Sequence, residues 1–433
     1  MTSKSKGRSL EVTIFLDFMH FTNHVNTVDE ENDPLTGHLF SLKGARWRSL
    51  RSKLTPVFTS GKIKMMFQTL ANCSDDLVSV VDKHIEEVQP IDVKDVVARF
   101  TTDVIASCAF GIECNSLKNP NSEFRKYGRK IFEVDMWDSL TRLMTFFLPN
   151  LLIYIKIRTF RKDMTDFFVN TVKETVNYRD RNNIIRKDFM HLLIQLKNNV
   201  KITDNDIGDL NNKSKMTENI KNDDNKPLLT MNELAAQAFV FLAAGFETSS
   251  TAITFCLYEL VQNPEFEDLV REEINMILVK YDGKLSYDAR SVEHLKTLRK
   301  YPPVPIHTRE CTKTYKVPGT NIILDKGSLV FIPVLGIQRD PKYYPDPDKF
   351  DPERFSEEQK ATRHSATWTP FGDGPRACIG LRFGLMQTKF GLATLLKHFK
   401  FTLHPKTEIP IVLDLKSFFL AVEKGIWLKA ERI

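Results

Sequence analysis

The 433-residue sequence has six cysteines and no C-x-x-C pair among them, which excludes the common zinc modules and dithiol redox motifs. It opens MTSKSKGRSL, without the apolar core of a secretory signal. Its longest aliphatic–aromatic run, MTFFLPNLLIYI at 144–155, is too short to span a bilayer, and Pro149 and Asn150 interrupt it. It has no internal repeat. Neither sign of charge dominates: 61 Lys and Arg stand against 55 Asp and Glu, a net +6 that does not suggest a nucleic-acid partner. A chain this long needs no disulfide staples, so a reducing compartment is expected and five of the six cysteines read as small buried hydrophobes.

What the sequence does hold is apolar mass. Hydrophobic residues make up 42%, and Phe alone numbers 31, enough for a large core or an apolar ligand site. The stretches 64–88 and 160–183 carry apolar residues at three-to-four spacing and predict amphipathic helices. Residues 230–262 predict a long helix. Thr230 and Glu233 form a capping box at its start, and Asn263-Pro264 ends it. It is apolar nearly all round and should run through the middle of the domain. Its centre nevertheless holds Gly245, Glu247, Thr248, Ser249, Ser250 and Thr251, and buried polar groups there require partners. Short strand-like runs, YKVPGTNIIL and SLVFIPV, lie between later helices. The polar stretch 197–227 predicts a mobile surface loop rather than a domain boundary. The expectation is one mainly α domain with a small β part, over 1–433.

The segment FGDGPRACIG, Phe371 to Gly380, admits two readings. Gly372, Gly374 and Ala377 fit a dinucleotide phosphate loop. That loop needs an acidic residue about twenty positions on. No Asp or Glu occurs between Asp373 and Glu408, while six basic residues do, among them Lys389 and Lys397. The second reading makes Cys378 a metal thiolate at the start of an apolar helix, where the dipole and free N–H groups favour an anionic sulfur. Gly374 and Gly380 would let a flat cofactor approach, and Arg376 could pair with a cofactor carboxylate. A thiolate-ligated haem satisfies all of this.

Here the sequence resembles the cytochromes P450, haem-thiolate monooxygenases. F-x-x-G-x-R-x-C-x-G is complete in Phe371, Gly374, Arg376, Cys378 and Gly380. Ala244-Gly245-Phe246-Glu247-Thr248 matches the family's oxygen-activation motif, Trp47-x-x-x-Arg51 its W-x-x-x-R, and Pro352-Glu353-Arg354-Phe355 its meander motif. The resemblance runs from about Gly44 to the C-terminus and is strongest to insect-type microsomal members. It implies the P450 fold around a buried haem b, with Cys378 as the axial thiolate. Trp47, Arg51, Ala244, Arg309, Phe371, Arg376 and Gly380 would be haem contacts. Glu247 and Thr248 would supply protons to dioxygen through a local helix distortion. Arg299 and Arg354 would form a structural network. Phe241, Val304, Ile306, Phe418 and Phe419 would wall a pocket for a lipophilic small molecule. Electrons would come from NADPH through NADPH–cytochrome P450 reductase, docking on the basic surface after Cys378. The implied location is the cytosolic face of the endoplasmic reticulum membrane.

Two departures accompany the resemblance. The anchor helix and proline-rich hinge that such members carry before the Trp47 motif are not in this sequence, so membrane-surface attachment would rest on the apolar patch of 146–155. The family's E-x-x-R helix reads here with Lys296 in place of the glutamate, and Glu293, about 120° round a helix from Arg299, does not replace it. Arg299, Arg354 and Lys296 would then share a site without an acid. This motivates an alternative reading, a haem-poor or ligand-binding relative. A peroxide-using isomerase or dehydratase on the same fold is a further one, against which Glu247-Thr248 argues.

Overall fold

The computed structural model describes residues 20–24, 26, 28–133, 141, 144, 151, 154–198, 229–287 and 297–433. Most of the polar stretch 197–227, most of the apolar run 144–155, and both Glu293 and Lys296 lie outside the described residues.

Helices dominate: α1 (Gly44–Leu54), α2 (Ser60–Met65), α3 (Phe67–Glu86), α4 (Val93–Ile105), α5 (Glu123–Lys130), α6 (Lys162–Asn182), α7 (Phe189–Lys197), α8 (Met231–Gln262), α9 (Pro264–Lys280), α10 (Val334–Gln338), α11 (Glu357–Ala361) and α12 (Leu381–His398). Apolar spacing explains their seating. α3 buries Leu70, Ser74, Leu77 and Val81, one stripe at three- and four-residue steps. α8 is buried over most of its length, as its composition predicts. It is also the one helix among the described residues long and apolar enough to cross a membrane, although most of its apolar stretch is inside the fold. The capping box forms in full: Thr230 Oγ1 accepts from the Glu233 N–H at 3.2 Å, and Glu233 Oε2 accepts from the Thr230 N–H at 2.8 Å. Pro264 then opens α9, where its missing N–H costs no helical bond.

Small residues set the helix crossings. A Cβ on Gly245 of α8 would lie 3.0 Å from Ile105 of α4. One on Gly391 of α12 would lie 2.8 Å from Phe100 of α4. These glycines let α4, α8 and α12 approach closely through the main core. The strands are β1 (Ile91–Asp92), β2 (His307–Glu310), β3 (Tyr315–Lys316), β4 (Ile323–Leu324), β5 (Leu329–Ile332), β6 (Phe399–Leu403) and β7 (Trp427–Arg432). They form a three-stranded sheet ordered β1-β7-β6 and two antiparallel pairs, β2 with β5 and β3 with β4. A second, smaller core of Phe21, Cys311, Tyr315, Val317, Ile332, Val334 and Ala366 seals the β2–β5 side. The architecture is mainly α with a small β part. One expectation is corrected: the helix after the glycine-rich segment starts at Leu381, not Cys378, because Ile379 and Gly380 form a turn first.

Candidate functional site

The glycine-rich segment is a tight loop. Gly372 and Gly374 both take φ of +69°, a left-handed conformation costly for other residues. Asp373 caps the next turn by accepting the Gly374 N–H at 2.7 Å. The Phe371 carbonyl accepts the Cys378 N–H at 2.9 Å, which fixes the cysteine backbone. The Cys378 side chain is exposed, yet so much protein surrounds it that desolvation is the largest influence on its thiol and raises its pKa. Two groups oppose this: the Gly380 N–H and the Arg51 guanidinium both favour the thiolate. The sulfur thus sits in a recess with an amide and a cation directed at it. Gly380 itself has an ordinary φ of −87°. The atom nearest a Cβ there would be in the Phe58 ring, at 4.0 Å.

Three guanidiniums gather beside the loop. Arg376 donates to the carbonyls of Thr22 (2.5 Å), Leu39 (3.1 Å) and Leu42 (2.6 Å), and it lies over the Trp47 ring, 4.1 Å from the centroid. Burial, Arg309 and Arg51 together pull its pKa down to about 9. Arg309, buried, donates to the Thr308 carbonyl at 2.9 Å and approaches His24 Nδ1 at 3.3 Å; burial brings its pKa to about 10. His24 is held well below its usual pKa by burial and then by Arg309, and burial also takes neighbouring His307 down to about 4. No salt bridge joins Arg51, Arg309 or Arg376 to an acid among the described residues, and no acid offsets the depressed pKa of Arg309 or Arg376. Clustered cations beside a thiol fit a ligand that brings its own two carboxylates and a thiophilic metal, which is the donor chemistry of a haem.

The centre of α8 presents two faces. Ala244 is exposed on an otherwise buried helix, and Thr248, one turn on, donates its hydroxyl to the Ala244 carbonyl at 2.7 Å. Glu247, about 100° further round, turns toward α4. Lys94 Nζ meets its carboxylate at 2.8 Å and also donates to Ser250 Oγ and Thr251 Oγ1, each at 2.8 Å. Burial lowers the Lys94 pKa, and Glu247 raises it. The polar cluster that the sequence left unexplained is therefore a network closed by one lysine. The expected helix distortion is not seen: residues 244–251 are continuous α-helix, and the Thr248 hydroxyl bonds back to its own helix.

Arg299 and Arg354 do come together, as the sequence suggested. Each is buried, and the charge of Arg354 contributes to lowering the Arg299 pKa to about 10, after burial. Arg299 donates to the carbonyls of Gln338 and Lys349, both at 3.1 Å, and lies 5.4 Å from the Tyr344 ring. Arg354 donates to the Asp346 carbonyl at 3.0 Å. Backbone oxygens and an aromatic face therefore carry these cations.

The pocket residues divide. The Leu420 N–H donates to the Pro303 carbonyl at 2.9 Å, bringing the 418–420 turn beside the Val304–Ile306 stretch. Phe418 and Ile306 are about half exposed, Phe419 is buried, and Val304 is intermediate. Phe419 packs on Phe132 at 5.0 Å, and Phe132 on Phe246 at 5.6 Å, an aromatic path to α8. Phe241, as buried as Phe419, packs its ring against Phe58 (5.1 Å) and Phe189 (5.8 Å). Sequence reasoning missed Lys94, His24, His307 and Phe132, which meet the site only through tertiary packing; no local spacing marks them.

The family model described as Cytochrome P450 matches residues 13–429. The chain is 44% identical to "Probable cytochrome P450 6a14" of Drosophila melanogaster, covering 96% of this chain and 82% of that protein. It is 43% identical to "Cytochrome P450 6A1" of Musca domestica, covering 96% and 80%. Identity to "Cytochrome P450 6k1" of Blattella germanica is 42%, covering 95% and 78%. Nothing in these matches supports the alternative of an impaired relative, and Lys296, on which it rested, is outside the described residues.

Proposed function

The chain belongs to the cytochrome P450 family, and from that premise we propose that it inserts one oxygen atom from dioxygen into a lipophilic xenobiotic or endogenous lipid, using NADPH-derived electrons. Family membership makes it a haem-thiolate monooxygenase. The substrate, the source of electrons and the residue roles are our reading. The observation that carries it is Cys378, an exposed thiol in a recess, with the Gly380 N–H and Arg51 favouring its anion and, alongside, an arginine cluster that no acid among the described residues salt-bridges.

When bound, haem b supplies the activation of dioxygen, for which thiolate ligation favours O–O cleavage. The chain's residues supply the setting. Cys378 Sγ would hold the haem iron as a thiolate. Arg51, Arg309 and Arg376 would hold the cofactor's carboxylates, with Trp47 stacked under Arg376. Ala244, Phe371 and Gly380 would leave room for a flat ring. Monooxygenation consumes two protons, and Thr248 Oγ1, one turn from Ala244, would hold one of them. Glu247 reaches that face after leaving Lys94, or through an intervening water. Val304, Ile306, Phe418 and Phe419 give the pocket an apolar lining that excludes water. NADPH–cytochrome P450 reductase docks on the basic surface that includes Lys397, and the protein works at the cytosolic face of the endoplasmic reticulum membrane.

The test is turnover with isotopically labelled dioxygen. NADPH, reductase and a lipophilic probe should give a product carrying one labelled oxygen. No probe oxidation with NADPH and reductase, but NADPH-independent rearrangement or dehydration of a lipid hydroperoxide, would favour the isomerase or dehydratase class instead.

A further inference from the structure

Gln338 ends α10 and is completely buried. Its side chain makes three hydrogen bonds. Nε2 donates to the carbonyls of Leu298 and Arg299, each at 3.0 Å, and Oε1 accepts the Thr369 N–H at 3.2 Å. Only one orientation of the amide works. Flipped, the oxygen would face two carbonyls and the NH2 would face an N–H. Its own carbonyl receives the Arg299 guanidinium at 3.1 Å. One residue thus joins the turn at 297–299 to the strand-like segment that enters the cysteine loop.

The connection continues to the thiol. The Thr369 carbonyl accepts the Gly372 N–H at 3.0 Å, and the Phe371 carbonyl accepts the Cys378 N–H at 2.9 Å. A second clamp runs parallel: buried Tyr344, under the Arg299 guanidinium, donates its hydroxyl to the Thr367 carbonyl at 3.2 Å. Arg299 has no carboxylate partner among the described residues, so its position depends on these neutral acceptors. A buried amide with every donor and acceptor engaged specifies one geometry, and loss of one partner leaves several groups unsatisfied.

We propose that Gln338 is a positioning residue for the Cys378 thiolate, bonding the arginine turn to the Thr369 end of the cysteine loop and so fixing the sulfur against the metal. This rests on the reading of Cys378 as the haem ligand. Gln338 touches neither haem nor substrate; it acts through the loop.

The test compares haem-loaded wild type, Gln338→Met and a control, Ile274→Ala. Met keeps the approximate size and removes all three bonds. Ile274 is buried on α9, away from the loop, and its truncation lowers stability without touching this network. The reduced carbon monoxide complex is recorded over time below the unfolding transition, following the thiolate-type Soret band as it converts to the neutral-thiol type. Gln338→Met should convert at least about tenfold faster than wild type, which corresponds to roughly one net hydrogen bond. Ile274→Ala should convert at the wild-type rate. Equal rates in Gln338→Met and wild type, or equal acceleration in both variants, overturn the proposal. If Gln338→Met does not accumulate folded, Gln338→Asn takes its place, since its shorter amide withdraws from Thr369; an unchanged rate there is equally fatal. Absence of a thiolate-type band in wild type would instead count against the ligand assignment itself.

Discussion

The guanidinium of Arg376 lies 4.1 Å from the centre of the Trp47 ring, joining residues 329 positions apart. The sequence marks both as haem contacts, but the structure adds that they contact each other. A cation on an indole face contributes about 0.5–2 kcal/mol. The aromatic ring also removes water from the arginine and sets the direction of its remaining donors. Trp47→Leu should therefore weaken haem retention by roughly 2- to 30-fold, measured as transfer to an apo-haem acceptor. Arg376→Lys should do at least as much harm, because an ammonium cannot reproduce the planar fork that reaches the Thr22, Leu39 and Leu42 carbonyls.

Glu247 and Lys94 form a partly buried pair between α4 and α8. Lys94→Met should leave haem binding intact and change turnover, because Glu247 loses the cation that holds it away from the Ala244 face. Thr248→Val keeps the shape and loses the hydroxyl, so less product should form per dioxygen consumed. Unchanged coupling of NADPH oxidation to product in both variants would remove these residues from proton supply.

Gly245→Ala places a methyl 3.0 Å from Ile105 in the close crossing of α4 and α8. Overpacking of this kind costs about 1–3 kcal/mol. The loss should be visible as a lower Tm and partly reversed by Ile105→Val, which removes the Cδ1 atom that Ala would meet. Independent, additive effects of the two substitutions would show that the crossing tolerates the extra carbon.

Arg179 and Asp188 form a bidentate pair at 2.9 and 2.6 Å, and both are almost wholly buried. Asp188 also caps α7 by accepting the His191 N–H at 2.8 Å. Asp188→Asn strands a buried cation, and about 3–5 kcal/mol of stability should go with it. Denaturant midpoints report this directly.

How much of this was legible in advance differs by element. The helix 230–262 was readable from its capping box and from Asn263-Pro264, because both are local and both are stronger than any competing preference. The 371–380 segment was legible as a tight loop because glycines allow the left-handed φ that Gly372 and Gly374 adopt. The neighbours of Phe241 were not legible, because an aromatic on a buried helix gives no sign of which ring it meets; Phe58 and Phe189 are the ones it packs on. Lys94 was invisible for the same reason, since its three acceptors lie more than 150 positions away. The bond of the Thr248 hydroxyl to its own helix was not legible, because the residue type alone does not fix which acceptor it meets.

Acid should destabilise the fold through histidine. Burial lowers the pKa of His38 and His307 to about 4, and His24 is also well below its usual value. Well above pH about 6.5, the ordinary histidine pKa, these rings are neutral in both states and contribute no slope. As pH falls toward 4 the unfolded chain takes up protons first, so stability decreases by up to about 1.4 kcal/mol per pH unit for each histidine. Asp33, pushed up to about 6 by burial, opposes this between pH 6 and 4. His38→Gln should flatten the Tm profile in that window and leave it unchanged above pH 7.

The central claim is that Cys378 is the axial thiolate of a haem. The most direct measurement is the reduced carbon monoxide difference spectrum of the haem-reconstituted chain beside Cys378→Ala. The account predicts a thiolate-type Soret band in the wild type and its loss in the variant. A folded, haem-containing wild type without that band, or a variant that keeps it, would contradict the account.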